Sequence, residues 1–276
     1  MSKIKIFLLF FVSIAVLSSC DSRARQEKRA DSLINDIREF IKSENYSQAQ
    51  IYIDSIHKTY PLLVDKRKSA AALKDTITRR ESAKTLDYCS NIYPQKKQEL
   101  DSLQKNFRFE KNEKYQEFGN YVYKTQITEQ NTDRNYLKCY VDENGDFYLI
   151  SNVTGTKIEQ YCIKVISGDE FALSDSIGID KGIFHNFSDG GTYWESLTYK
   201  NDGGMPVAKF IADHSADRIK VELIGKRKYF YIMNEQDKKA ITETIKFWVV
   251  KKDVLELEKK IKIATIKIGN IKLRYQ

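Results

Sequence analysis

The chain lacks the clustered residues that announce an enzyme. Its 276 residues hold three histidines, His57, His185 and His214. Only His214 has a suggestive neighbour, Asp217 three residues on, and zinc takes three or four ligands. That pair therefore reads as a polar turn before a strand, and no metal is expected. Ser176 and Ser196 lack the setting of a nucleophile elbow. Asp189-Gly190-Gly191 and Asp202-Gly203-Gly204 read as turns, because a phosphate loop combines a following helix with a lysine. No catalytic set and no cofactor follow from this inventory. Prolines are also scarce, at three, and each marks an expected boundary. Pro61 ends a helix, Pro94 separates two helices and Pro206 opens one. No apolar run reaches the roughly 20 residues of a membrane-spanning helix.

What is present starts at the N-terminus. Lys3 and Lys5 precede an apolar run from Ile6 to Leu17, which ends in Leu17-Ser18-Ser19-Cys20. A basic start, a short apolar core and small residues before a cleavage point make a secretory signal. The last four residues resemble the lipobox of bacterial lipoproteins. That resemblance implies removal of residues 1–19, lipid on the sulfur of Cys20 and acylation of the new amine. Stable anchoring takes about two acyl chains, which a lipidated cysteine supplies. The implied location is the cell envelope, on the periplasmic face or at the outer membrane.

The charge is uneven. The whole chain is formally +8. Gly119 to Gly225 holds 10 Lys and Arg against 16 Asp and Glu, whereas Lys226 to Gln276 holds 14 against 6. For an exported chain, anionic lipid headgroups or envelope glycans suit a basic tail better than nucleic acid. Solvated or mutually facing charge segments account for the same pattern. Three cysteines follow Cys20, namely Cys89, Cys139 and Cys162, so at least one thiol stays unpaired. A two-residue turn at Asn144-Gly145 sets Cys139 opposite Ile150. A second at Thr154-Gly155 sets Cys162 opposite Phe147. Those partners lie on opposite sheet faces, so no disulfide is expected.

Residues 20–29 are polar and read as a tether or a frayed helix start. From Ala30 a helical period runs through Leu33, Ile34, Ile37, Phe40 and Ile41. Ser43-Glu44-Asn45 breaks it, and Ser47 to Lys58 resumes it. The run Asn45 to Ala49, with Pro61 closing, resembles one tetratricopeptide unit, but no second copy follows and a plain helical hairpin is expected. Sparse apolar residues then continue, with Leu73, Ile77 and Leu86 before Pro94 and Leu100, Leu103 and Phe107 after it. They suggest coiled-coil-like helices. From Gly119 the texture changes to short segments rich in Tyr, Val, Ile and Thr, bounded by Gly, Asn or Asp. These read as an antiparallel meander. Asn234 caps a final helix whose seam is Phe247, Val250, Val254, Leu257, Ile261, Ala264, Ile268 and Ile271. Residues 264–273 also alternate as a strand would.

The expected fold class is α+β. Its parts are a signal at 1–19, a tether at 20–29, a helical region at 30–118, a β-rich domain at 119–233 and a long helix at 234–276 that packs on the helical region. The favoured role is a non-enzymatic, lipid-anchored envelope protein that binds a protein partner or scaffolds an assembly. Two alternatives are a carbohydrate-binding lipoprotein using Tyr193 and Trp194, and an unrecognised enzyme. Aromatics beside a glycine turn can stack on sugar rings, although strand aromatics more often pack inward. Asp-Ser/Thr-aliphatic triplets place Ser32, Ser55, Thr76, Ser102 and Ser176 in a pattern that resembles the O-glycosylation signal of certain Gram-negative anaerobes.

The intact mass of the native protein checks these readings together. It should equal the chain from Cys20 onwards plus acyl groups and glycan, and Cys20→Ala should free the protein from the membrane fraction. An unmodified full-length mass overturns both.

Overall fold

The computed structural model describes residues 23–178 and 183–275. The signal segment and Cys20 lie outside the described residues. Among the described residues are five α-helices and ten strands. These are α1 (residues 23–42), α2 (Tyr46–Thr59), α3 (Val64–Gln104), α4 (Met205–Asp213) and α5 (Glu235–Arg274). The strands are β1 (Phe107–Glu110), β2 (Asn120–Tyr123), β3 (Tyr136–Asp142), β4 (Phe147–Thr154), β5 (Gln160–Ser167), β6 (Glu170–Leu173), β7 (Phe184–Asp189), β8 (Thr192–Lys200), β9 (Lys220–Gly225) and β10 (Lys228–Ile232). The fold is α+β, and every strand pairing among the described residues is antiparallel. Two compact units divide it: Met1–Ser90 with Lys260–Gln276, and Asn91–Lys259.

In the first unit, apolar residues at helical spacing build a three-helix core. Ile34, Ile37 and Ile41 of α1 meet Ala49, Ile53 and Ile56 of α2 and Ala70 and Ile77 of α3. Glu44 takes φ 60° to end α1, and the Asn45 side chain caps α2 by accepting from the Gln48 N–H at 3.3 Å. The expected tether is helical from residue 23, where Arg23 and Glu27 pair one turn apart at 3.3 Å. The expected break at Pro94 is absent, because α3 runs through it. Pro94 lacks the N–H that would bond the Ser90 carbonyl, yet the flanking turns hold the helix. The end of α5 stays helical, with Ala264 and Ile271 buried. Asp75 holds that end, accepting from Arg274 and from the Tyr275 hydroxyl at 3.1 Å each.

In the second unit the meander gives way to two sheets. One has the order β1-β2-β3-β4-β8-β7, the other β10-β9-β5-β6. Leu137, Cys139, Val141, Phe147, Leu149, Leu197 and Tyr199 of the first share one core with Ile163, Val165, Val221 and Leu223 of the second, α4, and Ile241, Phe247, Val250 and Val254 of α5. The expected turn at Thr154-Gly155 does not form. β4 continues to Thr154 beside β8, Gly155 donates to the Tyr193 carbonyl at 2.8 Å, and the chain crosses to the other sheet. Gly225 lies where β9 meets that crossing. A Cβ there would come within 2.4 Å of the Ile158 carbonyl oxygen. The β3–β4 loop has three residues rather than two, with Gly145 at φ 82°, so Cys139 faces Leu149. Cys89, Cys139 and Cys162 are buried free thiols, and Cys139 and Cys162 sit in different sheets.

One polar cluster ties this unit together. Asp237, in the first turn of α5, is 1% exposed. Its carboxylate accepts from Arg134 at 2.5 and 2.7 Å, from Asn234 at 3.0 Å and from Gln126 at 3.3 Å. Its own N–H donates to the Asn234 side chain at 2.7 Å, the expected cap. Gln126 also donates to the Leu137 carbonyl at 2.8 Å and accepts from the Cys139 N–H at 3.1 Å. Its amide thus takes the place of a strand beside the part of β3 that β2 does not reach.

Asp237→Ala should leave the Arg134 guanidinium without its carboxylate partner and take one of two acids, the other being Glu235, from the first turn of α5. A destabilisation of about 3 kcal/mol is expected in urea melts, with Asp237→Asn milder. A variant within about 0.5 kcal/mol of the parent would show that the cluster is dispensable.

A candidate binding cleft on the six-stranded sheet

Strand pairing explains how the cleft forms. In register across four strands lie Tyr136 of β3, Asn152 of β4, Ser196 of β8 and His185 of β7. The next row holds Thr154, Trp194 and Phe187. Alternation sends both rows to the sheet face away from the shared core. They floor a cleft of about 430 Å³, and residues 128–134 supply lining through Thr128, Asn131, Thr132 and Arg134. That volume lies within the roughly 300–1,000 Å³ common for small-ligand sites.

The aromatic part is preorganised. Trp194 stacks on Phe187 with centroids 5.0 Å apart and planes 11° from parallel. The indole N–H donates to the Thr132 carbonyl at 3.2 Å, which fixes the ring against the opposite wall. Phe187 stays 61% exposed. Tyr136 lies under the Arg134 guanidinium, 4.4 Å from the ring centroid. Burial pushes the Tyr136 phenol up to about 12, so it stays a neutral donor and acceptor at neutral pH.

The charged groups around the cleft are mostly committed elsewhere. Arg134 is engaged by Asp237 and donates to Asn131 at 2.7 Å. Glu195, 2% exposed, accepts from the backbone N–H groups of Ile158, Glu159 and Gln160 at 3.2, 3.0 and 3.3 Å. It therefore holds the crossing between the sheets. His185 and Asp189 both line the cleft, but four positions along one strand separate them by about 13 Å, with Phe187 between. That is too far for a direct acid–base pair.

The structure separates the two aromatics read together in the sequence. Trp194 lines the cleft; Tyr193 is outside its lining. As its neighbour on the strand, Tyr193 points to the other face with Glu195, and burial with that carboxylate pushes its phenol up to about 12. Of the candidate glycosylation positions, Ser32, Ser102 and Ser176 are exposed, whereas Ser55 and Thr76 are half-buried. Thr76 donates to the Ala72 carbonyl at 3.1 Å. Ser32, Ser55, Thr76 and Ser102 lie in helices, and Ser176 follows β6. His214 bridges Asp217 at 3.0 Å and Glu170 at 3.3 Å. Among the described residues no group of three or more metal-ligating side chains converges, and no helix is long and apolar enough to cross a membrane.

Sequence reading missed Tyr136, Asn152, His185 and Phe187. A usable signal for two of them was present. Gly190-Gly191 is a favoured two-residue hairpin turn, and counting back across it puts Phe187 opposite Trp194 and His185 opposite Ser196. No protein-family model, no curated protein and no solved structure matches the chain. The site therefore rests on its own geometry.

Next to the cleft floor, Lys138 is 6% exposed and donates to Thr128 at 2.8 Å. Burial lowers its pKa. Between that lowered value and about 10.4, the value of an unfolded lysine, the unfolded chain binds more protons and stability rises with pH. Lys138→Met should abolish that rise and stabilise the protein at neutral pH by about 1 kcal/mol. Urea midpoints for both proteins between neutral pH and about pH 10 provide the check. Parallel profiles would sink the idea.

Proposed function

We propose that this protein is a non-enzymatic, lipid-anchored envelope protein that holds a saccharide unit in the cleft beside Trp194. The observation that carries the reading is the Trp194–Phe187 stack, with its exposed ring, set next to the polar row Tyr136, Asn152, Ser196 and His185. A pyranose offers an apolar C–H face and a rim of hydroxyls. The aromatic pair suits the face, and hydroxyl, amide and imidazole groups suit the rim. The envelope location rests on the lipobox-like Leu17-Ser18-Ser19-Cys20. A binding rather than catalytic role is supported by the commitments of Arg134 and Glu195, both partnered within the protein.

Intrinsic fluorescence offers a direct test, since the chain has only two tryptophans. Trp248 is held by the Gly145 carbonyl at 3.0 Å and supplies a background. Titration with soluble peptidoglycan fragments, chitooligosaccharides and dextran fragments should change the Trp194 signal for at least one of them. Phe187→Ala should weaken that binding at least about tenfold, and Trp194→Ala should remove the signal. Unchanged affinity in Phe187→Ala, or no response to any of these probes, counts against the reading.

A further inference from the structure

The four-stranded sheet breaks the usual rule for an antiparallel sheet with one covered face. Its inner face is apolar, with Ile163, Val165, Ala172, Val221, Leu223, Tyr229 and Tyr231 facing the core. Its outer face should then be polar throughout, but that holds mainly for the two central strands, and the edge strands β6 and β10 carry large apolar residues there. One outer row runs Phe230, Glu222, Lys164, Leu173; the next runs Ile232, Lys220, Ile166, Phe171. Four large apolar side chains there are open to solvent: Phe171 at 56%, Leu173 at 44%, Phe230 at 63% and Ile232 at 46%.

The charges on this face have a definite arrangement. Lys164 extends over the Phe171 ring at 4.3 Å, and Lys220 over the Phe230 ring at 4.4 Å. Each ammonium thus sits beside an exposed ring. Glu222 pairs with Lys228 at 3.1 Å, so the face is left with a net positive charge. Exposed aromatic and aliphatic groups beside ammonium groups complement the boundary of an anionic bilayer. There, rings enter the headgroup level while lysine stems lie along apolar surface and their heads meet phosphate.

We propose that the outer face of this sheet, built around Phe171, Phe230, Lys164 and Lys220, docks on an anionic phospholipid surface. This contact is separate from the cleft and from any lipid at Cys20, and it stands or falls without either.

The test uses the chain from Asp21 onwards, which omits the candidate lipidation position. It is sedimented with vesicles of phosphatidylcholine alone or with roughly a third phosphatidylglycerol. The protein should pellet with the anionic vesicles and much less with the neutral ones. Lys164→Glu/Lys220→Glu should weaken that binding by about tenfold or more. Phe171→Ser/Phe230→Ser should weaken it as well, and unchanged circular dichroism would show that the exposed substitutions leave the fold intact. No pelleting with either vesicle, equal pelleting with both, or a charge-reversed variant that pellets like the parent overturns the proposal. So does a parent that dimerises in sedimentation velocity and becomes monomeric on Phe171→Ser/Phe230→Ser, since a second copy would then be the occupant.

Discussion

The second unit depends on one buried carboxylate. Asp237 sits where the N-terminus of α5, the loop before β3 and the edge of β3 converge. A lone carboxylate taken out of water carries a large desolvation cost. Here a guanidinium, two side-chain amides and the positive end of a helix offset it together. The cost is also why the cluster is cooperative: no member can leave without stranding the others. Its consequence reaches the cleft. Arg134 and Asn131 are held by it, and both belong to the segment that walls the aromatic floor.

Much of the fold could be read from the chain because the local signals agreed with one another. The break at Ser43-Glu44-Asn45, the short helix from Met205 and the cap at Asn234 all involve residues whose backbone chemistry admits few alternatives. What could not be read was long-range pairing. Nothing near Thr154 says that the next strand joins a different sheet. That choice is made by β9, some sixty residues on, and by Glu195 holding the crossing. Pro94 misled for the opposite reason. Its local penalty is real, but tertiary packing on both sides outweighs about 3 kcal/mol.

The candidate site was half legible. Trp194 could be singled out because it closely follows the Gly190-Gly191 turn, where an aromatic ring can stack on a sugar. Its neighbour Tyr193 was grouped with it by sequence adjacency, whereas a strand separates adjacent residues by face. Asn152 and Tyr136 carried no signal of their own. They matter only because of the register that sets them beside Ser196. The outer face of the second sheet was illegible for a related reason. On its edge strands, β6 and β10, apolar residues alternate with other apolar residues, so neither segment on its own shows which side faces water.

The two units differ in continuity. The β-rich unit is one unbroken stretch, Asn91–Lys259, while the helical unit needs Lys260–Gln276 from the end of the chain. During synthesis the β-rich unit has all its residues in hand before the helical unit has received its last helical segment. The order in which the cores can close is therefore the reverse of the order in which the units begin. The end of α5, fixed by Asp75 through Arg274 and Tyr275, acts as the closing step of the helical unit.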